Sequence, residues 1–472
     1  MIEIPKLSIS GDIHDKKGNF RALVFVHDLL NQNPRLIFKT PRTEKGGDVI
    51  WKYERTTGIY EPYGVGFVEQ AVQKYSSEDC KTEDLRAAAK HLKVATYIDK
   101  KDFEEDPGSI MLLNGELDHV TRQLRPANPD HNHKNLLPVK FDPAATCPSF
   151  LDFLNKVIPE AVDLIQEIFG YCLIKTYKYQ KAFIFQGTGD NGKSTVINVL
   201  VAFLGPENVS HETLFNLSSQ RFSVANLYTK FANSAADIAP DEIQRTGTFK
   251  GLTGWDWMRA EFKNQNPFDF RNYAKLIFSC NQLPATPDKS YAFFKRFCVI
   301  KFLRTFIKGV DMDENILDKL TTPEELSGIF NWALVGLHRL QENGDFSKTI
   351  SVVKMEELWE KMSDPITAYI DDCIDFTNDE KDHVIKADVY HFYNAYCKLN
   401  GFTALTDRRF HSAFKGKIHV GDSQVREGDK SPTVYTRIKM KCFACKKCPH
   451  VDAETVNGVK ATSYLAQQKT LL

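Results

Sequence analysis

No apolar run among the 472 residues approaches the roughly 18 needed to span a bilayer, and Met1 to Asp12 lacks the apolar stretch of a secretory leader. The chain is therefore expected to be soluble and intracellular, with no membrane partner. Net charge is missing too. The 61 basic residues balance the 61 acidic ones, which excludes a basic coat over the whole surface and confines any nucleic-acid contact to local patches. Internal repeats and low-complexity tracts are absent, which leaves solenoids and fibrous folds out. Paired cysteines are scarce. Seven of the ten cysteines stand singly among other residues, Cys172, Cys280 and Cys298 among them, as expected of reduced, buried thiols.

The length exceeds what one hydrophobic core supports and implies two to four domains. Charge is locally uneven: Lys250 to Lys308 holds eleven Lys or Arg against four Asp or Glu, and Thr403 to His450 the same eleven against four. Each stretch is either a phosphate-facing surface or an ordinary solvated face. Leu23 to Leu30 reads as a strand or buried turn, Val49 to Tyr53 with Thr57 to Tyr60 as a hairpin, and Glu83 to Leu92 as a helix. Asn114-Gly115 marks a tight turn. Pro126 to Pro148, rich in Pro, Asp, Asn and His, reads as a linker. Within it, Asp130-His131-Asn132-His133 has no further ligand nearby in sequence and is read as a solvated loop without function. A helical run covers Phe150 to Ile174. Strands are expected at Ala182 to Gln186, Phe231 to Ile238, Leu276 to Cys280 and Phe297 to Phe302, an α/β pattern. Helices follow at Glu314 to Leu340 and within Lys354 to Phe376. Asp388 to Leu399, Thr406 to Phe414 and Thr433 to Ile438 then read as helix, helix and strand, the order of a winged-helix-like module.

The strongest motif is Gly187-Thr188-Gly189-Asp190-Asn191-Gly192-Lys193-Ser194, a full match to the phosphate-binding P-loop pattern. It lies between the apolar run Ala182 to Phe185 and the helical Val196 to Leu200, in the strand, loop, helix order that the chemistry requires. Glycines let backbone amides wrap phosphates at a helix N-terminus, Lys193 reaches the outer phosphates, and Ser194 offers a hydroxyl to magnesium. The loop by itself means nucleotide binding and does not say what is driven.

With Thr195 added, Gly187 to Thr195 resembles the Gly-x-x-Asn-Gly-Lys-Ser-Thr form found in superfamily 3 helicases, and within them the phage, plasmid and poxvirus-type primase-helicases. Gly170 to Leu173 and Leu204-Gly205 are also similar. The stretch Tyr228 to Ile238 is similar to the family's acidic strand, which gives Asp237 a role in holding magnesium. One acid stands there, with Asp241-Glu242 four residues on, so the acid that orients the lytic water stays open. Lys250 to Asp256 and Arg259-Ala260-Glu261-Phe262-Lys263 resemble the segment that forms a channel hairpin, which implies DNA contact by Lys263 and Arg259. Leu276 to Cys280 followed by Asn281-Gln282-Leu283-Pro284 matches the sensor motif, with Asn281 near the γ-phosphate. Asp288 to Phe297 resembles the stretch bearing the arginine finger, here Arg296, which acts on a neighbouring subunit's ATP.

The resemblance thus implies an ATP- and magnesium-dependent DNA helicase of a viral, phage or plasmid-like element. It implies a homo-oligomer, commonly a hexamer, around single-stranded DNA, located in the cytoplasm or at replication sites. A separate primase or polymerase is an expected partner, since the N-terminal segment is short for a priming domain. The alternative is a DNA-binding initiator or a remodelling ATPase without unwinding activity. The expected fold is an AAA+-like α/β P-loop NTPase core with an N-terminal α+β domain and a C-terminal winged-helix-like module. Its boundaries are 1–148 (N-terminal domain), 149–345 (ATPase), 346–441 (helical tether and winged-helix-like module) and 442–472 (Cys-rich basic tail). In that tail Cys442, Cys445, Cys448 and His450 are soft ligands that suit zinc, but they lack the long loop between ligand pairs. A disordered tail, zinc and an iron–sulfur centre all remain readings of it.

Overall fold

The computed structural model describes residues 6–9, 12–42, 49–76, 80–187, 189–236, 238, 246–284, 286–347, 350–400, 402, 404–418, 422–424 and 432–441. The chain opens with helix α1 (Ala22–Asn31), followed by strands β1 (Phe38–Pro41), β2 (Trp51–Glu54) and β3 (Ile59–Glu61). Helices α2 (Gly64–Tyr75) and α3 (Thr82–Ala95) and strand β4 (Tyr97–Ile98) complete a four-stranded sheet, in order β3-β2-β1-β4, with three helices against it. The 23–30 segment is α1 and not a strand. Ala22, Phe25, Val26 and Leu29 all face the core, and that spacing of three and four residues is what a helix buries on one side. The predicted hairpin is found as the antiparallel β2–β3 pair.

Strands β5 (Ser109–Leu112) and β6 (Gly115–Asp118) meet antiparallel across the Asn114-Gly115 turn, and β7 (Leu124–Arg125) pairs with β6. The 126–148 stretch, expected as a linker, is packed. Asn132, His133, Asn135, Leu137 and Val139 are buried. The Asn135 amide donates to Asn208 Oδ1 at 2.8 Å and to the Thr229 carbonyl at 2.7 Å. Its polar residues satisfy the backbone and side chains of other segments, a role that composition alone does not reveal.

Helices α4 (Pro148–Val157) and α5 (Val162–Cys172) divide the expected helical run at Pro159. The chain then runs through β8 (Ala182–Gln186), α6 (Lys193–Leu204), β9 (Val209–Ser210), α7 (Leu214–Ser219), β10 (Ala232–Ala235) and α8 (Gly247–Gly254). The hairpin β11 (Trp257–Ala260) and β12 (Phe268–Arg271) precedes β13 (Lys275–Cys280), α9 (Tyr291–Phe294) and β14 (Phe297–Lys301). Five of these strands form a sheet in order β14-β8-β13-β10-β9, and every pairing in it is parallel. β8 and β13 are buried at every position, which is why they read as continuous apolar runs. This is a mixed α/β fold around a parallel sheet.

Helices α10 (Ile316–Leu320) and α11 (Pro323–Asn343) replace the single helix expected over 314–340. Thr322 divides them, its hydroxyl capping α11 by accepting from the Glu325 N–H at 3.3 Å. α11 lies close against α5. A Cβ at Gly170 would stand 2.4 Å from the Ala333 carbonyl, and one at Gly336 2.4 Å from that of Gln166. Beside that contact the fully buried Glu167 is held by Arg339 Nε at 2.7 Å and the Ser347 N–H at 2.7 Å.

The last segment comprises α12 (Val352–Ser363), α13 (Pro365–Cys373), β15 (Ile374–Phe376), β16 (His383–Ile385), α14 (Lys386–Asn400), α15 (Asp407–Lys417), β17 (Asp422–Gln424), β18 (Thr433–Thr436) and β19 (Ile438–Met440). Tyr369, Tyr393, Phe410, Phe414 and Tyr435 give it a core of its own. Cys80, Cys147, Cys172, Cys280, Cys298 and Cys397 are free thiols, as expected, but Cys373 is disulfide-bonded. The Ile374↔Met440 register carries the chain leaving β19 past it, where the Lys441 N–H donates to the Cys373 carbonyl at 2.8 Å. Among the described residues no helix is long and apolar enough to cross a membrane.

Candidate functional site

The glycine-rich loop leaves the C-terminal end of β8, the edge at which a parallel sheet presents its loops and helix N-termini to a ligand. The Gly187 N–H donates to the Cys280 carbonyl at 3.2 Å and so ties the loop to the end of β13. Two glycines are structurally obligatory. A Cβ at Gly187 would meet Asn191 Nδ2 at 2.3 Å and the Phe302 carbonyl at 2.5 Å, and Gly192 has φ +83° at the cap of α6. Gly189 differs, because a Cβ there would meet nothing within 4 Å. Asp190 adopts φ +54°, and its carbonyl accepts from the Phe306 N–H at 2.7 Å. Lys193 is buried at the first turn of α6, its ammonium donating to the Gly187 carbonyl at 2.5 Å and to Asn191 Oδ1 at 3.2 Å. The loop thus closes around its own lysine. Ser194, the next residue, is exposed, and Thr195 is half-buried.

Ser194 borders a cavity of about 540 Å³ whose lining includes Asn198 of α6, His211, Ser234 and Ala235 at the end of β10, and Ser279 of β13. Asn233 is buried beside it and satisfied, accepting from Ser210 Oγ at 2.9 Å and the Glu212 N–H at 2.8 Å. Asn281 follows β13 as an exposed side chain, and its carbonyl accepts from Gln186 Nε2 at 2.8 Å. The fold therefore gathers the loop, Lys193, Ser194 and Asn281 at one sheet edge. Asp237 and Thr188 lie outside the described residues, as do Cys442, Cys445, Cys448 and His450.

Arg296 is placed elsewhere. The register pairs Ala182 with Phe297 and Gln186 with Lys301, so Arg296 stands at the N-terminal end of the sheet, a strand length of roughly 15 Å from the loop. Its guanidinium turns back to the Ala292 carbonyl and faces Asp256. Its Nε is buried without a hydrogen-bond partner among the described residues, and burial lowers its pKa against the pull of Asp256. Within one chain it cannot reach the glycine-rich loop.

The β11–β12 hairpin is antiparallel, with Arg259 opposite Asp269 and Lys263 exposed in the connecting turn, as the sequence predicted. Neither Arg259 nor Lys263 has an ion-pair partner among the described residues, whereas the nearby Lys250 and Lys289 pair with Asp288 and Glu360 at 2.6 Å each. The sequence reading missed the aromatic part of this hairpin. Trp257 is 61% exposed, and the Arg271 guanidinium lies 4.8 Å from its ring and 5.1 Å from that of Trp255. Lys100 adds a further cation 5.5 Å from Trp257. The two exposed Trp residues among basic neighbours were a visible signal, but Arg271 meets them only through strand register.

The reading of His131 and His133 as a partnerless solvated loop is overturned. His133 is buried, and Glu116, on β6, lies against both rings. A partner fifteen or more positions away in sequence becomes adjacent through the packing of the 129–133 turn on the β5–β6 hairpin.

Three family models match successive parts of the chain: "D5 N terminal like" over residues 42–159, "Family of unknown function (DUF5906)" over 185–296, and "Poxvirus D5 protein-like" over 361–444. The candidate helicase 184R of Invertebrate iridescent virus 6 is 22% identical over 387 residues, covering 72% of this chain and 39% of that protein. The candidate helicase L207/L206 of Acanthamoeba polyphaga mimivirus is 28% identical over 166 residues, covering 33% of this chain and 17% of that protein. The chain thus spans well under half the length of these relatives. Among solved structures, the NrS-1 C-terminal region (305–718) aligns at 12% identity with a TM-score of 0.44, over 88% of this chain and 100% of that one. Two D5-type matches thus flank the parallel-sheet segment and viral helicase-named relatives run across it, so the chain is similar to D5-type proteins of poxviruses and to helicase-named proteins of other large DNA viruses.

Proposed function

We propose that this chain is an ATP-driven DNA helicase of a viral, phage or plasmid-like replication system, working as a homo-oligomeric ring, commonly a hexamer, on single-stranded DNA. The observation that carries the reading is the glycine-rich loop at the C-terminal edge of an all-parallel sheet, with Asn281 on the adjoining strand end and Ser194 sharing a cavity with the end of β10. On this reading the core, within 149–345, is a superfamily 3, AAA+-like P-loop ATPase. It follows an N-terminal domain (1–148) and precedes a helical tether with a winged-helix-like module (346–441). The replication site in the cytoplasm is its place of action, and a separate primase or polymerase its partner.

The donor set fits a magnesium nucleotide. Open space around Gly189 admits a phosphate to the loop backbone, and Lys193 supplies the neutralising charge once it leaves the Gly187 carbonyl. The Ser194 hydroxyl and Asp237 would hold magnesium, which when bound offsets charge on the outer phosphates. Asn281 would orient the attacking water. Arg296, too far from its own loop, would act on the nucleotide of the neighbouring subunit, which makes oligomerisation a condition of turnover. Arg259 and Lys263 would contact DNA phosphates.

The test is ATP turnover with and without single-stranded DNA, for the parent protein, Lys193→Ala and Arg296→Ala, together with strand displacement on a forked substrate. Arg296→Ala is expected to lower turnover by about three orders of magnitude, the low end of the range for an arginine finger, and Lys193→Ala to abolish it. Mixing the two variants should restore part of it, because a mixed interface unites an intact loop with an intact Arg296. Turnover indifferent to DNA, with no strand displacement, would favour a remodelling ATPase or a DNA-binding initiator instead.

A further inference from the structure

Glu116, His131 and His133 stand apart from the candidate nucleotide site, and their arrangement is that of a ligand set. One donor atom from each, a carboxylate oxygen and two ring nitrogens, lies within 4.8 Å of the other two. His131 Nδ1 is 2.5 Å from Glu116 Oε1, and His133 Nε2 is 3.4 Å from Glu116 Oε2. The Glu116 side chain is 2% exposed, as is that of His133, while His131 is 31% exposed and opens one side of the group to water.

The polar bookkeeping of the group is incomplete. Oε2 of Glu116 is buried with no hydrogen-bond partner among the described residues, an arrangement that disfavours a charged group unless something else meets it. Two imidazoles and one ionised carboxylate match the donor chemistry of zinc, which takes histidine nitrogen at about 2.0–2.1 Å and carboxylate oxygen at about 2.0–2.2 Å. Tetrahedral geometry at those bond lengths sets neighbouring donors about 3.4 Å apart. The two separations run to different oxygens of Glu116, and with one donor atom per residue the three lie within 4.8 Å of one another, so an ion would draw the widest pair together by up to about 1.4 Å. Asn128 stands on the far side of the His131 ring, its amide 3.3 Å from Nε2, whereas Ser109 Oγ, 3.2 Å from His133 Nε2, touches the nitrogen that would bind the ion and must yield to it.

We propose that Glu116, His131 and His133 form a binding site for a divalent zinc-class ion, with solvent in the fourth position on the His131 side. The ion joins the β5–β6 hairpin to the 129–133 turn. It therefore clamps a segment that also reaches Asn208 and Thr229 beside the parallel sheet through Asn135.

The full chain is tested after zinc supplementation and dialysis, in a background where Cys373, Cys442, Cys445 and Cys448 are all replaced by Ser, so that neither the tail thiols nor a thiol released from the Cys373 disulfide takes up metal. Elemental analysis is expected to find one zinc per chain. His131→Ala, a half-exposed position whose loss leaves the core intact, and Glu116→Gln should each lower that occupancy at least tenfold, as far-ultraviolet circular dichroism confirms folding. Cobalt substituted for zinc should show visible d–d bands of nitrogen and oxygen ligation, without a thiolate charge-transfer band. Chelation should lower the thermal midpoint of the Ser background and leave His131→Ala unmoved. A folded Ser background that takes up no zinc or cobalt, or unchanged metal content in both variants, overturns the proposal and leaves the trio as a hydrogen-bonded cluster.

Discussion

Two glycines of the same loop answer to different physics. At Gly187 any side chain collides with Asn191 and with the Phe302 backbone, so the residue is held by packing. At Gly189 nothing among the described residues would meet a methyl group, which on the proposed reading leaves room for a ligand that approaches the backbone. Gly187→Ala is expected to cost about 1–3 kcal/mol of stability, as overpacking does. Gly189→Ala should change stability by no more than about 0.5 kcal/mol while still weakening nucleotide binding. Chemical denaturation and a fluorescent-nucleotide titration on both variants separate the two effects. Equal affinity for Gly189→Ala and the parent would remove that residue from the proposed phosphate contacts.

Among the elements, the DNA contact proposed for the β11–β12 hairpin would unite two modes that salt distinguishes. Lys263 offers a point charge, and each single-strand phosphate contact contributes about 0.7 to the slope of log affinity against log salt. Trp257 offers a ring face, and stacking contributes about 1–3 kcal/mol per base with little dependence on salt. Lys263→Ala should therefore lower the salt slope by about 0.7. Trp257→Ala should weaken binding of single-stranded DNA by roughly tenfold or more and leave the slope alone. Fluorescence anisotropy across a salt series measures both, and an unchanged affinity in both variants would assign this hairpin another task. The hairpin itself was legible in the sequence through the family resemblance. The stack of Arg271 between Trp255 and Trp257 was not, since it follows from the Trp257↔Arg271 pairing.

Across the whole molecule, Glu105 joins segments that lie far apart in the chain. It accepts from the Lys134 N–H at 3.1 Å and pairs with the ammonium groups of Lys134 and Lys175, the latter shortly before β8. Burial works to raise its pKa from the ordinary 4.5, but the charges of Lys175 and Lys134 prevail and hold it at about 2. A carboxyl whose folded-state pKa is depressed contributes stability that is complete above its unfolded value and is lost as pH falls toward the folded one. Here that window runs from 4.5 down to about 2, and the contribution is on the order of 3 kcal/mol. Glu105→Gln should be less stable at pH 7 and should lose less on acidification through that window, as urea melts at stepped pH would record. Parallel acid limbs for the two proteins would contradict the assignment.

What the sequence by itself determined is local. The loop from Gly187 to Ser194, four of the five parallel strands and the Asn114-Gly115 turn follow from motif, periodicity and turn chemistry within a few residues, and the Lys263 hairpin from the family resemblance. Even there, the 23–30 segment was misread, because a short apolar run fits a strand or a buried helix until its partners are known. Only the tertiary structure decided that Asn132, His133, Asn135, Leu137 and Val139 are buried, that Glu116 meets two histidines, and that Arg296 sits a full strand length from its own chain's loop. The reason is register. Which end of a strand, or which distant carboxylate, a residue meets is set by pairings between segments tens of residues apart, and no spacing within either segment records them.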